Sequence, residues 1–239
     1  GATEIGNKIF FLEAWIGILA YIFQLYFDFS GYSDMAVGLA RLFGIRLPFN
    51  FNSPFKAINI IDFWKRWHIT LSRFINEYLF TNLAIKLTRY AVFHNIKNFN
   101  FLLSIVLPII ITFSLSGLWH GASWNFLLWG FLHGVYIIIY YIWSTFLSKL
   151  GINKIKNKFF KYFSIILTFL AVTLSFVPFR AINFESATLI YSSLFPNNLE
   201  LNYILTDTGL NFITFYIIIC FTLVWFFRNT NDFIKIKEK

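Results

Sequence analysis

Charge is scarce in this 239-residue chain: Asp, Glu, Lys and Arg make up 13% of it, where an ordinary soluble domain carries about 25%. Cysteine is scarcer still. The single Cys220 excludes an intrachain disulfide and any zinc site built on two or four cysteines. Lying inside an apolar run, it reads as a small packed or lipid-facing residue. The phosphate-cradling patterns G-x-G-x-x-G and G-x-x-x-x-G-K-[ST] are absent, and so is the G-x-S-x-G nucleophile elbow. No two of the four histidines stand three or four residues apart, so no helical pair of metal ligands exists, and no metal is expected. There is no internal repeat and no low-complexity segment. The opening "GATEIGNK" has no basic n-region with a cleavage site, and Ile5 stands where a myristoylation motif needs Ser or Thr. The expectation is a piece of a longer protein whose first part is missing.

What the chain has in abundance is apolar surface. It is 58% hydrophobic and 22% aromatic, with 33 phenylalanines. A bilayer is crossed only by helices or closed barrels, and barrel strands would alternate polar with apolar residues. The runs here are unbroken, so the fold class is all-α, a multi-pass transmembrane helical bundle. Spans near the ~20 residues needed to cross are expected at 9–29, 99–119, 122–147, 161–180 and 210–227, with Pro108 kinking the second. The whole of 1–239 reads as one membrane domain.

The net charge of +9 does not point to nucleic acid, because the basic residues sit in the gaps between apolar runs. Residues 149–161 carry five lysines and no acid, and the tail 228–239 carries Arg228, Lys235, Lys237 and Lys239. Residues 181–209 hold Glu185, Glu200 and Asp207 with no Lys or Arg. The positive-inside rule then puts the lysine loop and the C-terminus in the cytoplasm of a cell-membrane protein, and 181–209 outside. Counting back, 116–124 faces outward, and 31–98, with nine Lys/Arg against three acids, returns to the cytoplasm.

The region 31–98 reads as re-entrant and interfacial. Residues 31–47, "GYSDMAVGLARLFGIRL", look too short and too basic to cross. Pro48 and Pro54 bracket a turn. Asn59 is a natural N-cap for a helix over 60–80. Ile60, Trp64, Trp67, Leu71, Phe74 and Tyr78 share one face of that helix, and Asp62/Arg66 and Arg73/Glu77 are spaced to pair on the other.

Against this background His120, in "SGLWHGASWNF", is the sharpest candidate for chemistry. Ionisable groups at membrane depth are costly and usually face a cavity with a partner, and imidazole suits general-base work near neutral pH. Ser116, Ser123 and Asn125 add polar groups nearby. The plainer reading makes His120 an interfacial residue between two belt tryptophans, Trp119 and Trp124. His68, in "DFWKRWHITLS", is second, weighed against an ordinary histidine on a basic interfacial helix. His133 reads as a core histidine and His94 as a solvated one. Asp28 and Asp34, in "YFDFSGYSD", are candidates to hold a basic partner or to line a polar tunnel, weighed against a capped re-entrant turn.

Three stretches, "QLYFDFSGYSDMAVGLARLFGIRLPFNFNSPF" (24–55), "DFWKRWHITLSRFINEYLF" (62–80) and "GLWHGASWNFLLWGFLHG" (117–134), resemble the membrane-bound O-acyltransferases, and within them the bacterial alginate O-acetyltransferase group. A weaker echo is "SFVPFRAINFESA" (175–187), which has Val-Pro where that group often carries an aromatic pair. The resemblance covers most of the chain in the right order. It implies the family's fold, incomplete at the N-terminus, and transfer of an acyl group to a hydroxyl through a tunnel across the membrane. It also implies that His120 matches the catalytic histidine of the family's WHG motif, and that His68 matches a second active-site histidine. Trp119, Ser123, Asn125, Asp28, Ser30 and Asp34 are the tunnel candidates. No bound cofactor is expected. The implied donor is acetyl-CoA from the cytoplasm, and the implied acceptor is an extracytoplasmic polysaccharide, with a separate periplasmic or extracellular transferase as partner. Two other readings stay open: transfer of D-alanine to teichoic acid within the same family, and a non-enzymatic transporter or scaffold with structural histidines.

Overall fold

Helix α1 (Phe11–Leu42) opens the computed structural model, which describes residues 9–96, 101–151, 158–195 and 208–232. The Glu13 carboxylate accepts from the Phe10 N–H at 3.4 Å and caps its first turn. Thirty-two residues at 1.5 Å each give about 48 Å, well beyond the ~30 Å hydrocarbon core. The helix therefore contains both the expected span 9–29 and most of the segment read as a separate re-entrant helix. That reading is corrected: residues 31–42 continue α1. The polar run Ser30-Gly31-Tyr32-Ser33 does not break it. The stop comes later, at Gly44 (φ +74°). There the Ile45 N–H donates to Ala40 O at 2.9 Å and the Gly44 N–H to Arg41 O at 3.0 Å, the two-bond closure that favours glycine in the left-handed position.

A 3-10 turn (Pro54–Lys56) leads to α2 (Ile60–Trp64). Asn59 caps α2 as expected, its side chain accepting from the Asp62 N–H at 2.8 Å, and Asp62 pairs with Arg66 at 2.8 Å. The continuous helix over 60–80 does not form. It breaks after Trp64 and restarts as α3 (Ile69–Ile75), passes through a π turn (Asn76–Phe80) and continues as α4 (Thr81–Phe93). The aromatic face divides with it: Ile60 and Trp67 are buried, whereas Phe74 and Tyr78 are exposed. Arg73 and Glu77, both exposed, form no ion pair among the described residues.

A π turn (Leu102–Val106) runs directly into α5 (Leu107–His120), and Pro108 stands just after the π turn. The expected distortion of the second span is thus a π turn next to the proline. Then follow α6 (Trp124–Lys149), α7 (Lys158–Arg180), α8 (Phe184–Ser193) and α9 (Thr208–Phe226). Helix α8 lies in a stretch for which no helix was expected; Asn183 caps it, accepting from the Ser186 N–H at 2.8 Å. The described residues contain no strand. Among the described residues, five helices are long and apolar enough to cross a membrane, as expected for an all-α, multi-pass membrane protein. Residues 152–157, 196–207 and 233–239, which carry much of the charge used for orientation, lie outside the described residues.

The chain is built of two compact units, one of Gly1–Phe55 with Thr173–Lys239, the other of Lys56–Val172. In the first, Phe23 packs edge-on against Phe55, Phe221 and Trp225 at 5.8–6.4 Å. Trp15 Nε1 donates to Leu194 O at 3.2 Å, holding α8 to α1. The core of the second unit is the α5–α6 hairpin with α2 laid against α6.

Candidate functional site

The hairpin is set by small residues. A Cβ on Gly117 would stand 2.1 Å from Phe126 O, and one on Gly130 2.1 Å from Phe113 O. Only hydrogen fits at either position, so α5 and α6 approach backbone to backbone. Gly117, Gly121, Gly130 and Gly134 form two small-xxx-small pairs in the sequence, a signal of this crossing that the motif reading passed over. The Ser123 hydroxyl starts α6 by accepting from the Phe126 N–H at 3.4 Å.

This crossing brings aromatic rings from both helices together. His120, the last residue of α5, lies 5.2 Å from the Trp129 ring at 86° and 5.0 Å from Trp119. Trp129 in turn meets His133 at 5.0 Å. Helix α2 closes the cluster: Trp64 is 5.1 Å from His133 and 6.0 Å from Trp129, and Phe63 stacks on His133 at 6.2 Å and 12°. The Asn59 amide donates to the Tyr140 hydroxyl at 3.2 Å and fixes the start of α2 against α6. His133 is fully buried among these rings, and Asn125 is buried near the start of α6. His120 is exposed at the end of its helix, as are Trp119 and Trp124.

His68 enters from the break between α2 and α3. Its backbone is left-handed, φ 44° and ψ 54°, a conformation that costs an L-residue about 1–2 kcal/mol. Such strain persists only where surrounding contacts over-determine it, and it gathers at functional sites. The turn is held by the Trp67 N–H donating to Phe63 O at 2.8 Å and by the Ser72 N–H donating to His68 O at 2.9 Å. Burial, and secondarily the charge of His120, push the His68 imidazole down from 6.5 to about 4. His68 is therefore neutral at pH 7.

Of the residues singled out in the sequence, His68, Trp119, His120, Ser123 and Asn125 belong to this unit. Asp28, Ser30 and Asp34 lie on α1 in the other. Asp28 is exposed, while Ser30 and Asp34 line a cavity of that unit. His94 is exposed at the end of α4, against Tyr90 at 4.3 Å. Sequence reasoning missed Trp64 and Trp129 as the link between the two histidine-bearing segments, and it left His133 as a core residue with no place in the site. Among the described residues, no three of His, Cys, Asp and Glu come together to hold a metal ion.

Comparison with known proteins matches residues 7–177 to the model of the membrane-bound O-acyltransferase family. The chain is 42% identical over 189 residues to a peptidoglycan O-acetyltransferase of Helicobacter pylori, covering 79% of this chain and 32% of that protein. It is 38% identical over 183 residues to a probable alginate O-acetylase of Pseudomonas aeruginosa, covering 77% of this chain and 31% of the relative. A teichoic acid D-alanyltransferase of Streptococcus thermophilus is 36% identical over 175 residues, covering 69% of this chain and 40% of the relative. The chain thus spans about a third of the length of these two O-acetylating relatives.

Proposed function

The chain belongs to the membrane-bound O-acyltransferase family, and from that premise we propose that it is the histidine-bearing part of a cell-membrane enzyme that acetylates a hydroxyl of an extracytoplasmic polysaccharide. The observation that carries this reading is that Trp129 joins the two histidine-bearing segments within one unit: it lies 5.2 Å from His120 on α5 and 6.0 Å from Trp64, the last residue of α2 before the His68 turn. The names of the relatives support acetyl transfer to a polysaccharide, alginate or peptidoglycan.

The donor is acetyl-CoA from the cytoplasm. A neutral His120 removes the proton from the acceptor hydroxyl as its oxygen attacks the thioester carbonyl. The C–S bond breaks, and the CoA thiolate takes the proton from the imidazolium. The acetyl ester and free CoA are the products, with no net change at the histidine. The Asn125 amide, the Ser123 hydroxyl and backbone N–H groups at the start of α6 are the candidate donors to the oxyanion. The C-terminus is cytoplasmic, and a separate periplasmic or extracellular acetyltransferase is its partner in modifying the polysaccharide.

The test is acetyl transfer by the full-length protein with its partner, using labelled acetyl-CoA and a glycan acceptor. His120→Ala should lower the rate by roughly 10²–10⁴-fold, the usual loss for a general base. Normal acetylation by that variant would overturn the role of His120. Labelled D-alanine on teichoic acid, with no transfer from acetyl-CoA, would replace the donor and acceptor by those of the third relative.

A further inference from the structure

A second feature lies in the other unit. Where α1 passes the end of α9, a cavity of about 300 Å³ opens between Tyr26, Phe27, Ser30, Gly31 and Asp34 on one side and Leu223, Val224 and residues 227–231 on the other, with Phe51 and Ser53 closing it. Small-molecule sites begin at about this size. Its walls differ in kind. Phe27, Leu223, Val224 and Phe227 form an apolar side continuous with the membrane-spanning helices, whereas Asp34, Ser53, Arg228 and Thr230 form a polar end at the point where α9 stops.

The polar end is rigid. The Asn229 amide donates to Asn52 Oδ1 and Ser53 Oγ, both at 2.9 Å. Asn231, itself buried, donates to Phe51 O. The Thr230 hydroxyl donates to Asp34 Oδ2 at 2.7 Å, which fixes the carboxylate and leaves Oδ1 to accept another donor. Asp34 and Arg228 carry opposite charges into the same cavity, yet they form no ion pair with each other. Two opposite charges lining one cavity beside an apolar wall suit a ligand that carries both charges and an apolar part.

We infer that this cavity holds the head group of a zwitterionic phospholipid bearing a primary amine, a phosphoethanolamine lipid, with its phosphate on Arg228, its ammonium on Asp34 and its acyl chains along Phe27, Leu223 and Phe227. Guanidinium is the side chain best shaped for phosphate. A purely anionic lipid would set its charge against Asp34, and a choline head group has no N–H to donate to Oδ1. The site shares no residue with the histidine cluster and does not depend on the acyl-transfer reading.

The test uses the full-length protein in nanodiscs containing phosphatidylethanolamine, phosphatidylcholine and phosphatidylglycerol in equal parts, followed by delipidation and native mass spectrometry of the retained lipid. Wild type should retain phosphatidylethanolamine in preference to the other two. Asp34→Asn and Arg228→Gln should each weaken that retention by roughly tenfold, whereas Arg228→Lys, which keeps the charge, should retain most of it. Each variant is checked for monodispersity and helical circular dichroism. Should a variant fail that check, Leu223→Trp, which fills the apolar side and leaves both charges, should also lose the lipid. Equal retention of the three lipids, preference for phosphatidylglycerol, or retention unchanged in every folded variant would overturn the inference. Displacement of the lipid by millimolar soluble phosphoethanolamine would overturn the lipid as occupant and assign the site to the free head group.

Discussion

Gly117 and Gly130 meet face to face where α5 crosses α6: a Cβ on Gly130 would lie 3.1 Å from Gly117 N as well as 2.1 Å from Phe113 O. The atoms in the way are backbone, which cannot swing aside like a side-chain tip. The crossing sets where His120 ends α5 and where Trp129 and His133 begin their passage along α6.

Gly130→Ala and Gly117→Ala should therefore force the helices apart, destabilising the protein by about 1–3 kcal/mol, the usual cost of overpacking. Acyl transfer should fall as well, because Trp129 moves away from the His120 ring. Gly38→Ala is the control. It sits inside α1, and a Cβ added there would meet nothing within 4 Å, so the change should be neutral or stabilising by about 0.5–1 kcal/mol. Thermal unfolding of the three variants in one detergent checks the ordering, and equal melting temperatures would refute the crossing.

The left-handed backbone of His68 separates stability from chemistry. His68→Ala keeps the strain and loses the ring, whereas His68→Gly loses both. The glycine variant should be more stable than the alanine variant by about 1 kcal/mol, and both should be slow in acetyl transfer. A glycine variant less stable than alanine would show that the turn at Trp67–Ile69 is not strained in solution.

Stability should also depend on pH through His68. Its folded pKa, about 4, lies below its ordinary 6.5. Between those values the unfolded chain takes up a proton that the folded chain refuses, so stability falls as pH drops from 6.5 towards 4. Above 6.5 both states are neutral there and the effect vanishes. His68→Asn, which cannot titrate, should show a flatter decline of melting temperature over the same range. Parallel curves for the two proteins would exclude His68 as the source.

Asn59 offers a milder probe. Its side-chain oxygen caps α2, and its amide holds Tyr140 on α6. Asn59→Ala should cost about 1 kcal/mol for the cap. Asn59→Asp, which keeps the acceptor but not the donor, should recover the cap and leave α2 looser against α6. Hydrogen exchange over residues 60–75 distinguishes the two losses.

Much of the architecture is legible in the sequence because it rests on local rules. Long apolar runs mark the five membrane-length helices, and each run carries its own signal whatever its neighbours do. The Asn59 cap and the Asp62–Arg66 pair lie within one helical turn and were readable for the same reason. His120 and His68 stood out because an imidazole amid apolar or aromatic residues is unusual by composition alone.

Tertiary structure decided the rest. Ser30, Gly31 and Asp34 looked like the end of a span, but α1 runs on through them and carries Asp34 to the Thr230 hydroxyl, nearly two hundred residues away in sequence. The aromatic stripe over 60–80 looked like one interfacial helix, but the chain turns at His68, and Trp64 goes inward to His133 while Tyr78 stays outside. Periodicity records which residues share a face of one helix. Which face meets which partner depends on how closely two backbones can approach, and here that is set by hydrogen in place of a side chain at Gly117 and Gly130.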